Sequence, residues 1–231
     1  MTDFLRNYII YSINSIRRES FNHNGWPTWE ISQRLEPVRS VIRRHETSAH
    51  GICEIMSAKW ICEYSRRSSL RDWLTSADDS FNIPNLDLLA KSNFQPDPRV
   101  DPSDQTERWL EQRCVSPREN HTHDYMFGDN NTNYDPNVLL NNLKGVNETV
   151  NIKPLFALIS TYGPIPFHGE QGHTMAIMFE PINAESLLFF DPNFGEFKFN
   201  NWNGFEGWFL YYFRKSHYSL FLGNKFTIRY F

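Results

Sequence analysis

The stretch Gly51-Ile52-Cys53-Glu54-Ile55-Met56-Ser57-Ala58-Lys59-Trp60-Ile61-Cys62 decides how the rest of the chain is read. Ile52, Ile55, Met56 and Trp60 fall on one stripe at helical spacing, with the aliphatic stem of Lys59 at its edge, which predicts a helix with one buried face. Cys53 stands in the first turn beside Ile52, turned away from the centre of the stripe, where a side chain looks into a cleft. The start of a helix offers a thiol unpaired amide donors and the positive end of the macrodipole. Both favour the thiolate, the nucleophilic form.

Upstream, Phe4 to Arg18 carries Leu5, Ile9, Ile10, Ile13 and Ile16 at mostly helical spacing and reads as an amphipathic helix ahead of the Asn24-Gly25 turn. Trp29 to Leu35 reads as a second helix, capped by Thr28 and interrupted at Pro37, while Val38 to Arg44 fits helix or strand. Downstream, Leu70 to about Leu89 has a mixed helical pattern and Asp104 to Arg113 reads as a short helix. Ser92 to Asp104 and the polar, turn-rich Val115 to Asn137 read as loops, followed by a helical patch at Val138 to Leu143.

The final third changes character. Leu155–Ser160, Thr174–Phe179 and Ser186–Phe190 are short apolar runs bounded by Gly, Pro and Asn, the mark of strands. Phe205, Trp208, Phe209 and Tyr212 recur at helical spacing and read as core aromatics that hold the nearby Asp191 turn. Ser219–Leu222 and Lys225–Tyr230 read as a hairpin about Gly223-Asn224. Helices first and an antiparallel sheet afterwards make an α+β layout. A length of 231 residues suits a single domain, with 1–45 as a helical N-terminal extension and 46–231 as the core.

Composition narrows the function classes. Hydrophobic residues make up 40% of the chain and aromatics 16%, enough to bury a core. A formal charge of -4, with Lys and Arg scattered, disfavours nucleic acid as a partner. The doublets Arg43-Arg44 and Arg66-Arg67 flank Cys53 and would suit docking of an acidic partner. Three cysteines, Cys53, Cys62 and Cys114, make no disulfide framework and match no zinc spacing. No apolar run is long enough to span a bilayer, and the N-terminus lacks a signal peptide's apolar core and cleavage site.

A nucleophilic thiolate needs an imidazole within reach, and that imidazole needs a carboxylate or amide to fix its tautomer. His173 heads the run Thr174–Phe179, and Asp191 ends the next strand before Pro192-Asn193-Phe194-Gly195. If the two strands pair through a loop at Glu180–Glu185, His173 comes to lie beside Asp191.

The motifs Gly51-Ile52-Cys53 through Trp60-Ile61, Gly172-His173-Thr174-Met175-Ala176 and Phe190-Asp191-Pro192-Asn193-Phe194-Gly195-Glu196-Phe197 together resemble the YopT/AvrPphB group of cysteine proteases. The resemblance spans Gly51 to Tyr212, and its most specific piece is the Asp-Pro-Asn-Phe-Gly turn. It implies a papain-like fold and peptide-bond cleavage without a cofactor, with Cys53 as nucleophile, His173 as base and Asp191 as acid. It further implies a bacterial effector or toxin domain: monomeric, secreted without a cleavable signal peptide, and cutting a particular host protein in the host cytosol. The family's oxyanion hole joins the backbone amide of the cysteine to a side-chain amide shortly upstream. Here His45-Glu46-Thr47-Ser48-Ala49-His50 holds no Asn or Gln, which leaves Thr47, Ser48 or His50 to substitute.

Rival readings attach to several residues. His168 competes with His173 from a Pro-rich loop, and Glu196 competes with Asp191 as the imidazole's carboxylate. His121-Thr122-His123-Asp124 looks like metal ligands but lacks the remaining pieces of a metallohydrolase pattern. The same triad would also serve a deamidase or transglutaminase acting on a protein glutamine, and the missing upstream amide favours a catalytically silent binding module.

Overall fold

The apolar runs of the final third form the centre of a seven-stranded antiparallel sheet, ordered β1-β6-β5-β4-β3-β7-β2. The structure, a computed structural model, describes residues 3–48, 51–92, 102–113, 115–118, 122–126, 135–147, 154–165, 169–180, 186–222 and 225–231. In chain order the elements begin with α1 (Asp3–Asn22), β1 (Gly25–Trp29), α2 (Val38–Ile42) and α3 (Cys53–Ser65). They continue with α4 (Leu70–Leu74), α5 (Ile83–Lys91), α6 (Pro102–Glu111), β2 (Thr122–Met126) and α7 (Pro136–Asn147). The last third holds β3 (Leu155–Ile165), β4 (Gly169–Phe179), β5 (Leu187–Asp191), β6 (Gly195–Phe199), α8 (Trp202–Lys215), α9 (Tyr218–Phe221) and β7 (Lys225–Tyr230).

Period two sends successive strand residues to opposite faces of the sheet. Ala157, Ile159, Met175, Ile177, Phe189, Phe197 and Ile228 pack with Ile13 and Ile16 of α1, Leu139 and Leu143 of α7, and the aromatic face of α8. Leu158, Ala176, Met178, Leu188 and Phe190 pack on the other side with α3 and its helical neighbours. Helices thus cover both faces, which explains why β4 and β5 read as continuous apolar runs rather than alternating ones. The first 45 residues are built into this body, because α1 enters the core and β1 extends the sheet. The architecture is the α+β arrangement expected from the sequence, with the helix that carries Cys53 packed on an antiparallel sheet.

Burial of α3 goes further than one face. Ile55, Met56, Ala58, Trp60, Ile61 and Cys62 are all fully buried, because the sheet covers one side and α2 and α4–α6 the others. A central helix of this kind loses the polar half that a stripe reading assigns to it.

Three other expectations give way to long-range pairing. The helix expected over Trp29–Leu35 is absent: Gly25–Trp29 is an edge strand on β6, followed by turn. Pro27 is compatible with a sheet edge, where one side of the strand needs no donor. The hairpin expected about Gly223-Asn224, residues outside those described, is replaced. Tyr218–Phe221 is a helical turn entered through His217 at φ +65°, and β7 instead inserts between β3 and β2. Part of Val115–Asn137, expected as loop, pairs with β7 as β2. A short strand whose partner lies a hundred residues away has no local signature.

Gly195 opens β6 at φ +108°, and a Cβ there would lie 2.4 Å from the Trp29 carbonyl oxygen. Gly195→Ala combines backbone strain with a clash against main chain. It should cost about 2–4 kcal/mol in denaturant unfolding, well beyond an ordinary glycine replacement.

Candidate active site

Pairing of Leu187–Phe190 with Phe179–Ala176 makes β4 and β5 adjacent antiparallel strands, as the argument for His173 and Asp191 required. The strand containing His173 is longer than expected. β4 runs on to Gly169, so His173 lies within it, opposite Thr161 of β3 and on the length that overhangs β5. Asp191 closes β5 opposite Gly195, and the turn between them folds into the space left by the overhang.

The imidazole and the carboxylate meet in the interior. His173 Nε2 donates to Asp191 Oδ1 at 2.9 Å, with the two side chains 5% and 0% exposed. Asp191 Oδ1 also accepts from the backbone N–H of Asn193 at 2.6 Å. Its Oδ2 accepts from the Tyr212 and Tyr218 hydroxyls, the latter at 3.1 Å. Four donors therefore saturate a fully buried carboxylate, the condition for burying one at all. The Tyr218 ring lies 4.8 Å from the imidazole, and its hydroxyl accepts from Asn193 Nδ2 at 2.7 Å.

Cys53 arrives from the opposite element. Its helix is tied to β4 one turn further along, where Ser57 Oγ donates to the Thr174 carbonyl at 3.0 Å. Ser57 is one turn from Cys53 and Thr174 is the neighbour of His173, so this buried bond fixes the thiol against the ring. Trp60 Nε1 donates to Glu196 Oε2 at 2.6 Å and holds the same helix to β6. Ile52, at the cap, supplies no side-chain capping bond. Its N–H instead donates to Gln33 Oε1 at 3.0 Å.

Charge follows from this geometry. Burial opposes a charged His173, but the charge and hydrogen bond of Asp191, followed by the hydrogen bond and charge of Cys53, outweigh it and raise the imidazole to about 9. Burial likewise opposes a charged Asp191. The His173 charge, with hydrogen bonds from His173, Tyr212 and the Asn193 amide, nonetheless holds the carboxyl below its ordinary range. Burial and then the Asp191 charge push the Tyr212 and Tyr218 phenols well up, so both stay protonated as donors.

The rival residues separate clearly. Glu196 accepts from Trp60, Tyr64 and Thr28 and bolts β6 to α3 and β1, away from the imidazole. Cys62 is fully buried in α3, and its thiol is pushed up by burial. His168, Cys114 and His121 lie outside the described residues. Asp124 accepts from Thr227, and no group of three potential metal ligands occurs among the described residues. Ser48, expected as a substitute oxyanion donor, is spent on the Ala90 carbonyl at 2.6 Å. His50 and the side chain of Thr47 lie outside the described residues. The sequence reading missed Tyr218 and Gln33, which approach the site from segments carrying no motif.

Comparison with known proteins bears on what such a site does. The profile of the peptidase C58 family, described as Yersinia/Haemophilus virulence surface antigen, matches residues 37–229. The chain belongs to this family. A C58 relative, the cysteine protease yopT1 of Yersinia enterocolitica, is 28% identical over 227 residues, covering 94% of this chain and 67% of the relative. The cysteine protease YopT of Yersinia pestis is 25% identical over the same shares. Among solved structures, the Pseudomonas avirulence protein AvrPphB superposes with a TM-score of 0.44 at 15% identity, covering 80% of this chain and 94% of that one. This C58 chain is a cysteine-type peptidase of the YopT kind, and the family acts on protein substrates. No helix among its described residues is long and apolar enough to cross a membrane.

Two measurements follow from the electrostatics. A His173 raised to about 9 contributes stability that is complete below the unfolded value of about 6.5 and is lost as pH rises through about 9. Asp191, held low, contributes above its unfolded value and loses that as pH falls through the folded one. Thermal melts of the wild type should therefore decline between about pH 6.5 and 9, and His173→Gln should flatten that decline. Tyr212→Phe removes a donor from a buried carboxylate and should cost about 1.5–3 kcal/mol in denaturant unfolding with the fold retained.

Proposed function

We propose that this C58 peptidase cuts peptide bonds with Cys53 as nucleophile, His173 as general base and acid, and Asp191 as the orienting carboxylate. The buried His173–Asp191 pair, with Cys53 against the same ring, carries the reading. A carboxylate fixed by four donors can hold one imidazole tautomer through the whole cycle.

With the proton held on His173, the Cys53 sulfur attacks the substrate carbonyl to form a tetrahedral oxyanion. Collapse breaks the C–N bond. The imidazolium gives its proton to the departing amine, leaving a Cys53 thioester. His173 then draws a proton from water, which attacks the thioester and releases the acid and the thiol. These steps need no metal or redox partner. The substrate we propose is a particular host protein, met in the host cytosol by a secreted, monomeric effector. The family match and the Yersinia cysteine proteases support a protein as the substrate.

The test compares new protein N-termini in a host-cell lysate treated with wild type or with Cys53→Ala. Wild type should generate a small set of new termini that Cys53→Ala does not. Glutamine-to-glutamate mass changes without new termini would replace proteolysis by deamidation. Neither product, together with a Cys53 no more reactive toward iodoacetamide than Cys62 or Cys114, would leave only the binding-module reading.

A further inference from the structure

A tetrahedral intermediate at Cys53 needs two N–H donors on its oxygen, and the segment just before the cysteine provides no carboxamide. Ser48 is committed to Ala90. The structure brings a carboxamide to the same place from a different element, the turn between β1 and α2.

Gln33 is half-buried there. Its Oε1 accepts from Ile52 N–H at 3.0 Å, immediately before the cysteine. A backbone N–H can only donate, so the carbonyl end of the carboxamide must face Ile52 and the NH2 end must face the other way. That Nε2 makes no hydrogen bond among the described residues. Gly51 provides the room: at φ +126°, its missing Cβ would lie 3.3 Å from Gln33 Oε1 and 3.8 Å from Nε2. The loop is also held from the other half of the site, because Gln33 N–H donates to the Pro192 carbonyl at 2.8 Å. Pro192 follows Asp191 directly. One residue is thus pinned by its backbone to the carboxylate turn and by its side chain to the start of the cysteine helix.

We infer that Gln33 is the second oxyanion donor, its Nε2–H acting beside the backbone N–H of Cys53 on the carbonyl oxygen of the scissile bond. This rests on the reading of Cys53 as nucleophile and adds a catalytic residue to it. Oε1 is occupied by Ile52, so the carboxamide cannot flip, and Nε2 is preorganised before substrate arrives. The negative charge that forms on the substrate oxygen therefore meets a donor needing no reorientation.

Acylation passes through an oxyanion, whereas alkylation by iodoacetamide displaces iodide at carbon and forms none. The experiment measures both rates at Cys53, using p-nitrophenyl acetate for acylation, with Cys53→Ala subtracted as background. Gln33→Ala should slow acylation about 10²-fold and leave alkylation within about twofold of wild type, which also certifies the fold of the variant. Gln33→Glu keeps an acceptor for Ile52 and loses the donor, so it should acylate as poorly as Gln33→Ala. Acylation by Gln33→Ala within about threefold of wild type would overturn the inference. So would recovery in Gln33→Glu, which would reduce Gln33 to a structural tie. A wild-type Cys53 inert to both reagents would instead overturn the nucleophile reading, and this inference with it.

Discussion

The fully buried Asp191 carboxylate governs the construction of this molecule. An ionised carboxylate placed out of water without partners would cost more than a domain of this size has to spare, so every lone pair must be met. His173, the Asn193 amide, Tyr212 and Tyr218 meet them, and they come from β4, the β5–β6 turn, α8 and α9. The position of α8 on the sheet, the turn geometry and the αL entry at His217 are each needed for one of those bonds. Loss of any one strands a charge rather than merely deleting a contact.

The second constraint is the seam between the cysteine helix and the sheet. Ser57 on Thr174, Trp60 on Glu196 and Ile52 on Gln33 are three polar ties along one helix, each reaching a different segment. Around them, Trp60 stacks on Phe190 at 5.8 Å, and Phe190 in turn lies against Trp29. The apolar contacts supply most of the burial, but they do not fix rotation of a helix to the precision that thiol–imidazole contact demands. The hydrogen bonds do, because each tolerates only a few tenths of an ångström.

Long-range electrostatics and packing converge in α8. Its aromatic face surrounds Phe189 with Phe205, Trp208, Phe209 and Tyr212, largely in edge-on geometries, and the last of these turns its hydroxyl to Asp191. A single helix thereby closes the core on one face of the sheet and orders the site's carboxylate. The aromatic spacing that reads as core packing is also what places a phenol beside the charge.

What the sequence determined by itself is local in origin. A glycine followed by an apolar stripe starts a helix at Cys53, and apolar runs bounded by turn residues make β4 and β5. The Asp-Pro-Asn-Phe-Gly turn sets the end of β5 next to the stretch carrying His173. Each depends on periodicity or turn chemistry within about ten residues. Tertiary structure alone decided that Gly25–Trp29 pairs as a strand and that β7 lies between β3 and β2. It also decided that Tyr218 and Gln33 reach the site, and that Glu196 serves the helix rather than the imidazole. These outcomes depend on partners tens to hundreds of residues away, and pairing energy at that range leaves no trace in the spacing of neighbouring side chains.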